Sequence, residues 1–345
     1  MANHDLTVVM MRRSLSILVL ALGLVSLSLS GAFARCEGSE VRVRLAVLSG
    51  NDATPQGQLA KEIQTEFQRN LNGKWCVEFV QPKEGEAGSA NVAKLRDKLA
   101  DLALITLDDL SFAAPLHRVF ELPFVFRDMF AVRAFLNSAE SEPLRQWRTN
   151  GVRSLALVPF GLEQIGGRKA LFEPGEMAGV RFALTSSQAT RPMISRLRAT
   201  SRVVAVADMR KAFEDATLDG QMARWDGFVK SGTSDKHAVF TQTNHALVGA
   251  QVLTAADWFG ELKADDAAAI ERSIRRAVDL FSTRQAQREE RAMQQIMRSG
   301  KAVYLLTRQQ RQEWRAALAT ITDSYAALPG ARAVLDGIER THNLP

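Results

Sequence analysis

The stretch EMAGVRFALTSSQATRPMISRLRATSRVVAVADMRKAFEDATLDGQMARWD, Glu176 to Asp226, decides the fold. It reads as an extended run (Val180 to Leu184), an amphipathic helical run (Arg191 to Arg198), a second extended run (Arg202 to Val206) and a short helix beginning at Asp208. Strand, helix and strand at this spacing form a parallel crossover, and such units place ligands at the carboxyl ends of their strands. The stretch is read as the half-site of a binding cleft in an α/β chain.

The same alternation continues outward on both sides. A strand over 41 to 48 ends in Ser49-Gly50-Asn51-Asp52, Thr54 and Pro55 supply an N-cap and a favoured first-turn residue, and Leu59, Ile63, Phe67 and Leu71 recur at helical spacing. A strand over 76 to 81 follows. Ser89 is then expected to cap a helix with Val92, Leu95 and Leu99 inward, before an apolar strand from Leu102 to Thr106. Glu121 to Asp128 leads into a helix around Ala131 to Asn137. Val152 to Pro159 reads as a strand whose close at Phe160-Gly161 is a crossing between domains, and Ala246 to Leu253 returns the chain. From Asp265 to Ser299 there is neither Gly nor Pro, and Ile270, Ile274, Val278, Phe281, Ala292 and Ile296 mark one helical face. At ~1.5 Å per residue this helix exceeds ~50 Å and should span both domains. Its charges, Glu271 with Arg275 and Arg284 with Arg288, are read as a solvated face. A short strand from Ala302 to Leu305 and a helix carrying Trp314 and Leu318 complete the chain.

A chain of 345 residues, 46% hydrophobic and 24% charged, suffices for two globular domains. Residues 1–34 belong to neither: Arg12-Arg13 precede an apolar run from Leu15 to Leu29, and Ala32-Phe33-Ala34 ends it as a signal peptidase site, with cleavage expected after Ala34. An uncleaved membrane anchor is the competing reading. Both cysteines, Cys36 and Cys76, lie in the mature part, and an oxidising compartment would pair them as a staple across the starting ends of two neighbouring strands. Without residues 1–34 the net charge falls from +6 to +5. Basic residues are interspersed with acids and no aromatic-interleaved basic run occurs, which sets nucleic acid aside. His117, His237, His245 and His342 lack metal-ligand spacing and are read as surface or turn residues. No nucleophile elbow, P-loop or Cys/His cluster is present, so the chain is expected to be a binding protein rather than an enzyme, with no cofactor and no metal.

Several pieces, in order, resemble the periplasmic solute receptors of TRAP (tripartite ATP-independent periplasmic) transporters, the DctP type. These are Leu122-Pro123-Phe124-Val125-Phe126-Arg127-Asp128, Gly179 opening a strand, Asp208 where relatives generally have Glu, Asp219-Gly220-Gln221, and Thr243-Asn244-His245 before a strand and the long helix. The resemblance implies a two-domain periplasmic-binding-protein clamshell with mixed sheets, hinge strands and a long domain-spanning helix. It also implies a monomer that closes on a small solute about the crossings near Phe160 and Ala246 and hands it to TRAP membrane subunits in the periplasm. The expected division is 35–160 plus 247–285 for domain I and 161–246 plus 286–345 for domain II. The alternative is a sensory ligand-binding protein that presents its closed form to a signalling partner.

The resemblance also locates the departures. Relatives commonly pair an Arg with the ligand carboxylate where this chain has Ala183, a second Arg where it has Glu163, and an Asn where it has Ala223. Arg181, two residues before Ala183 and on the same strand face, is expected either to supply the missing cation or to sit in solvent. Glu163 would meet a cationic group or metal, or pair with Arg168 or Arg181. Arg224 and Trp225 follow the Asp-Gly-Gln turn at cleft positions, Trp225 either stacking on a ligand or packing in the second domain. The ligand is expected to be neutral, zwitterionic or cationic, or an anion reached through Arg181 or Arg224.

Overall fold

Val43 and Leu45 are buried in β1 (Val41–Ala46) while Arg42 and Arg44 face outward, the period-2 signature of a strand with one face on a core. The structure is a computed structural model that describes residue 36 and residues 41–342 apart from 49–52, 72–73, 84, 150, 186–189 and 215–216. The expected signal segment and its cleavage site lie outside the described residues. Beside β1 lie β2 (Trp75–Val80) and β3 (Leu102–Thr106), both parallel to it, and then β11 (Leu247–Ala255), β5 (Val152–Leu162) and β4 (Arg148–Thr149), in the order β2-β1-β3-β11-β5-β4. The second sheet runs β12-β10-β6-β9-β7-β8, from β12 (Ala302–Leu305), β10 (Val239–Gln242) and β6 (Gln164–Gly167) to β9 (Gly220–Ala223), β7 (Arg181–Leu184) and β8 (Thr200–Val203). Both sheets are mixed, and helices complete an α/β fold.

The helices of the first half are α1 (Pro55–Asn70), α2 (Ala90–Arg96), α3 (Leu107–Leu110), α4 (Met129–Leu136) and α5 (Glu142–Arg145). The crossover helix α6 (Arg191–Arg196) joins β7 to the parallel β8, as the opening stretch requires. β8 begins at Thr200, two residues before the expected Arg202, because Arg198 takes φ +57°, ends the helix early and turns the chain into the sheet. The chain passes from the first sheet to the second between β5 and β6 and returns between β10 and β11.

After α7 (Met209–Glu214), α8 (Trp225–Lys230) and α9 (Ala256–Glu261) comes α10 (Ala264–Arg298), 35 residues and about 53 Å long at ~1.5 Å per residue. Its first half buries Ile270, Ile274, Ala277 and Phe281 against Leu59, Ile63 and Phe67 of α1. Its second half buries Ala292 and Ile296 against Trp225, Phe228 and Phe240. It therefore spans both sheets. Its charges are not simply a solvated face: Glu271 pairs with Arg153 at 2.8 Å, Arg284 pairs with Glu62, and the Arg288 guanidinium lies over Phe281 and donates to Gln285.

Trp314 of α11 (Arg308–Ala317) enters the second sheet's core. In α12 (Ala319–Ala326) and α13 (Ala331–His342), however, Tyr325, Val334 and Ile338 pack with Val119, Phe120, Phe135 and Leu144. The apolar stripe of α13, in the 286–345 segment that the expected division places in domain II, is covered by α4.

Two local expectations fail. Leu99 is 58% exposed, since α2 has ended at Arg96, and Ser89 has helical angles and makes no cap hydrogen bond. Three histidines read as surface or turn residues are buried. His117 Nε2 lies 3.1 Å from the Leu144 carbonyl, His237 is ringed by Phe213, Phe228 and Phe240, and His245 lies in the crossing between the sheets. Burial lowers the pKa of His117 to about 4 and of His237 to about 3. Both folded values lie below the unfolded 6.5, so the unfolded chain binds the extra protons and stability is lost as pH falls through this window. Urea midpoints should fall between about pH 6.5 and about pH 4, with a shallower slope in His117→Gln. An unchanged slope in that variant would remove His117 from the account.

Candidate functional site

The carboxyl ends of β1 and β3 and the end of α8 are brought together by one contact, from Lys230 to the loop after β1. On the first side, Leu48 follows β1 and Thr106 closes β3, and the Thr106 side chain caps α3 by accepting from the Asp109 N–H. Thr106 Oγ1 also donates to Asp109 Oδ2 at 2.8 Å, yet burial raises the Asp109 pKa. Gly88 lies directly over this carboxylate and Leu48, where a Cβ would collide with both. From the second side, Lys230 at the end of α8 donates to the Ala53 carbonyl at 3.2 Å, bridging to the loop after β1.

The sequence-selected residues divide into separate groups. Arg181 and Arg168 both face Asp219. Arg181 Nε and Nη2 donate to Asp219 Oδ2 and Oδ1 at 2.7 and 2.9 Å, and Arg168 Nε lies 3.6 Å from Oδ1. The Arg181 hydrogen bonds hold the Asp219 carboxyl below its usual range. This pair sits at the start of β7, the end away from the cleft. Ala183 is fully buried among Val204, Met209, Ala212 and Leu218.

Glu163 pairs with neither arginine. Its carboxylate lies 3.7 Å from His245 Nε2, while its backbone exchanges hydrogen bonds with Ala246 and His245. His245 Nδ1 in turn meets Thr243 Oγ1 at 2.7 Å. Glu163 is thus part of the crossing between the sheets.

Arg224 and Trp225 are held by the long helix. Arg224 Nη1 donates to Glu289 Oε1 at 2.5 Å and lies 2.9 Å from Asp226 Oδ1; the Trp225 N–H donates to Glu289 Oε2 at 2.9 Å. Gln285 donates to Glu289, and Lys230 lies 3.1 Å from Asp226. Burial and the nearby Asp226 raise the Glu289 pKa, while Arg224 holds Asp226 low against its own burial. Trp225 packs on Phe228 and Phe240 and also lines a cavity of about 970 Å³ between β5, α4 and α10.

The motifs behind the resemblance have mechanical roles. A Cβ on Gly220 would lie 2.8 Å from the Gly166 carbonyl, so only glycine lets β9 approach β6, and Gln221 Oε1 accepts from the buried Thr233 hydroxyl at 2.6 Å. Asn244, at φ +49°, donates through its side chain to the Arg127 carbonyl and through its N–H to Gln164. Phe124, at φ +58°, stacks on Trp314 with ring centroids 5.0 Å apart. Asp128 caps α4 by accepting from the Ala131 N–H.

Sequence reasoning missed Glu289, Gln285, Asp226 and Asp109. The first two did carry a signal: 281, 285, 289, 292 and 296 fall on one helical stripe, so Gln285 and Glu289 interrupt an apolar face.

Known proteins match nearly the whole chain. The profile of the bacterial extracellular solute-binding protein family 7 (DctP) matches residues 48–328. The C4-dicarboxylate-binding periplasmic protein DctP of Vibrio cholerae serotype O1 is 24% identical over 314 residues, covering 91% of this chain and 95% of that protein. Among solved structures, a TRAP periplasmic solute-binding protein from Ochrobactrum anthropi superposes with a TM-score of 0.78 at 16% identity, covering 88% of this chain and 96% of that one. One from Shewanella oneidensis with bound succinate does so at 0.73 and 19%, covering 88% and 100%. These likenesses establish the two-domain clamshell, and with the profile match they show that the chain belongs to the DctP family of bacterial extracellular solute-binding proteins, family 7.

Proposed function

We propose that this receptor captures a small organic solute between the carboxyl ends of β1 and β3 and those of β7 and β9, without catalysis, and delivers it to TRAP-type membrane subunits. In this reading it is exported to the periplasm with cleavage after Ala34 and works there as a monomer, its two sides closing about the β5–β6 and β10–β11 crossings. The ligand is neutral, zwitterionic or cationic. The observation that carries this choice is the engagement of both candidate guanidiniums, Arg181 by Asp219 at the far end of β7 and Arg224 by Glu289 and Asp226, together with an alanine at 183. Asp109, a half-buried carboxylate in α3 just after β3, adds a group suited to an ammonium or hydroxyl donor.

A thermal-shift screen of the mature protein tests the reading, because a ligand that binds only the folded form raises its melting temperature. Amines, amino acids and polyols should outperform simple dicarboxylates. Asp109→Asn should weaken the best ligand by about 10- to 100-fold, the range of a charge-assisted hydrogen bond, while Arg181→Ala leaves affinity unchanged. Tight dicarboxylate binding that ignores Asp109→Asn would overturn the ligand class.

A further inference from the structure

A second cavity, of about 620 Å³, lies away from the cleft, between the 127–128 segment, the β10–β11 connection, α11 and α13. Its walls carry Arg127, Arg308, Arg311 and Arg315 against two carboxylates, Asp128 and Glu339. Both carboxylates are committed. Asp128 accepts from Arg127 Nε at 2.8 Å and caps α4, and Glu339 accepts from Arg315 at 2.8 Å with His342 Nδ1 at 3.4 Å. Arg308 and Arg311 have no ion pair among the described residues.

Arg311 is the informative member. Its Nη2 donates to the Thr243 carbonyl at 3.0 Å and its guanidinium lies over Phe124, while its Nη1 is buried without a hydrogen-bond partner among the described residues. Burial lowers its pKa to about 10, and the Arg315 and Arg127 charges push the same way against Asp128. A desolvated cation that faces two others and has no carboxylate of its own is costly unless an anion joins it. The space beside it is large enough for a small organic molecule.

We propose that this cavity is a second ligand site, taking a small molecule with an oxyanion headgroup, carboxylate or phosphate, that is met by Arg311 and flanked by Arg308, Arg127 and Arg315. A guanidinium fork matches either headgroup with paired hydrogen bonds. None of its lining residues is among the groups placed at the cleft, and an anion there would tie the β10–β11 crossing, through Arg311 and Thr243, to α11.

Calorimetric titration of the mature protein with inorganic phosphate and, separately, with citrate, at ionic strength matched by sodium chloride, tests the assignment. At least one should bind saturably, and the responsive probe tells phosphate from carboxylate. Arg311→Gln should weaken it by about 10- to 100-fold, the range expected on losing a charge-assisted hydrogen bond. Arg308→Gln, which leaves the Arg311 packing intact, should weaken it several-fold, and Asp109→Asn in the cleft should leave it unchanged. Arg311→Gln should melt no lower than the parent, because it removes an uncompensated charge rather than a paired one. No saturable binding of either probe, or equal affinity in Arg311→Gln, would overturn the site. So would an effect that chloride reproduces at equal ionic strength.

Discussion

Arg224→Ala is expected to cost about 3–5 kcal/mol of stability, because it removes the cation shared by two buried carboxylates. Arg224 lies 2.9 Å from Asp226 and 2.5 Å from Glu289, and its side chain is 10% exposed, so little solvent would replace it. Without it, two acids face each other with Lys230 and Arg288 as remaining counter-charges, both more exposed to water. Glu289→Gln should be much milder, since an amide oxygen still accepts from the Trp225 N–H and the carboxyl it replaces, with its pKa raised, already resists ionisation. The two changes should be non-additive, Glu289→Gln recovering part of the Arg224→Ala loss in a double-mutant cycle read by urea unfolding. pH supplies the sign check. The folded Glu289 pKa is already raised above its unfolded value, so its contribution worsens as pH rises, and the Arg224→Ala deficit should shrink on acidification. A loss below about 1 kcal/mol, or a Glu289→Gln loss as large as that of Arg224→Ala, would show that the network does not hold the start of α8 to α10.

The second large effect concerns the bridge between Cys36 and Cys76, whose Cα atoms are 5.6 Å apart. It ties the segment before β1 to the second residue of β2, while β1 and β2 pair in parallel from Val41 opposite Trp75. The cysteines are 40 residues apart, and closing a loop of that size in the unfolded chain is worth roughly 4 kcal/mol in the chain-entropy model. Cys36→Ala with Cys76→Ala should lose about that much in urea unfolding, and dithiothreitol should produce the same shift in the parent but not in the double variant. Two free thiols in denatured, unreduced periplasmic protein would rule the bridge out.

What was legible in the sequence was whatever depends on periodicity and local chemistry. The β7–α6–β8 crossover, the Thr54 cap of α1 and the long reach of α10 follow from short-range pattern, and each element lies within a few residues of where it was read. Pairing of side chains across the chain was not legible. Arg181 alternates onto the face of Ala183, yet nothing near it in sequence says that Asp219, 38 residues later, will take both arms of its guanidinium. Arg224 and Trp225 read as cleft residues from the positions that relatives use after the Asp-Gly-Gln turn, and nothing local announces that a carboxylate on α10, 65 and 64 residues later, holds both. The histidines failed for a related reason: spacing can argue against a metal site, but it carries no information on burial.

The place of β11 in the first sheet has a consequence for the order in which the chain can fold. In β2-β1-β3-β11-β5-β4 the strand that joins β3 to β5 is residues 247–255, so the sheet made by the first half of the chain stays in two pieces until the second sheet's strands up to β10 have emerged. Until then β3 and β5 each present an unpaired, apolar edge, the kind of surface that templates intermolecular pairing. Vectorial folding from the amino terminus is thereby excluded for this sheet. Nascent chains cut before residue 247 should be aggregation-prone, and holdase chaperones should engage the chain until β11 closes the gap.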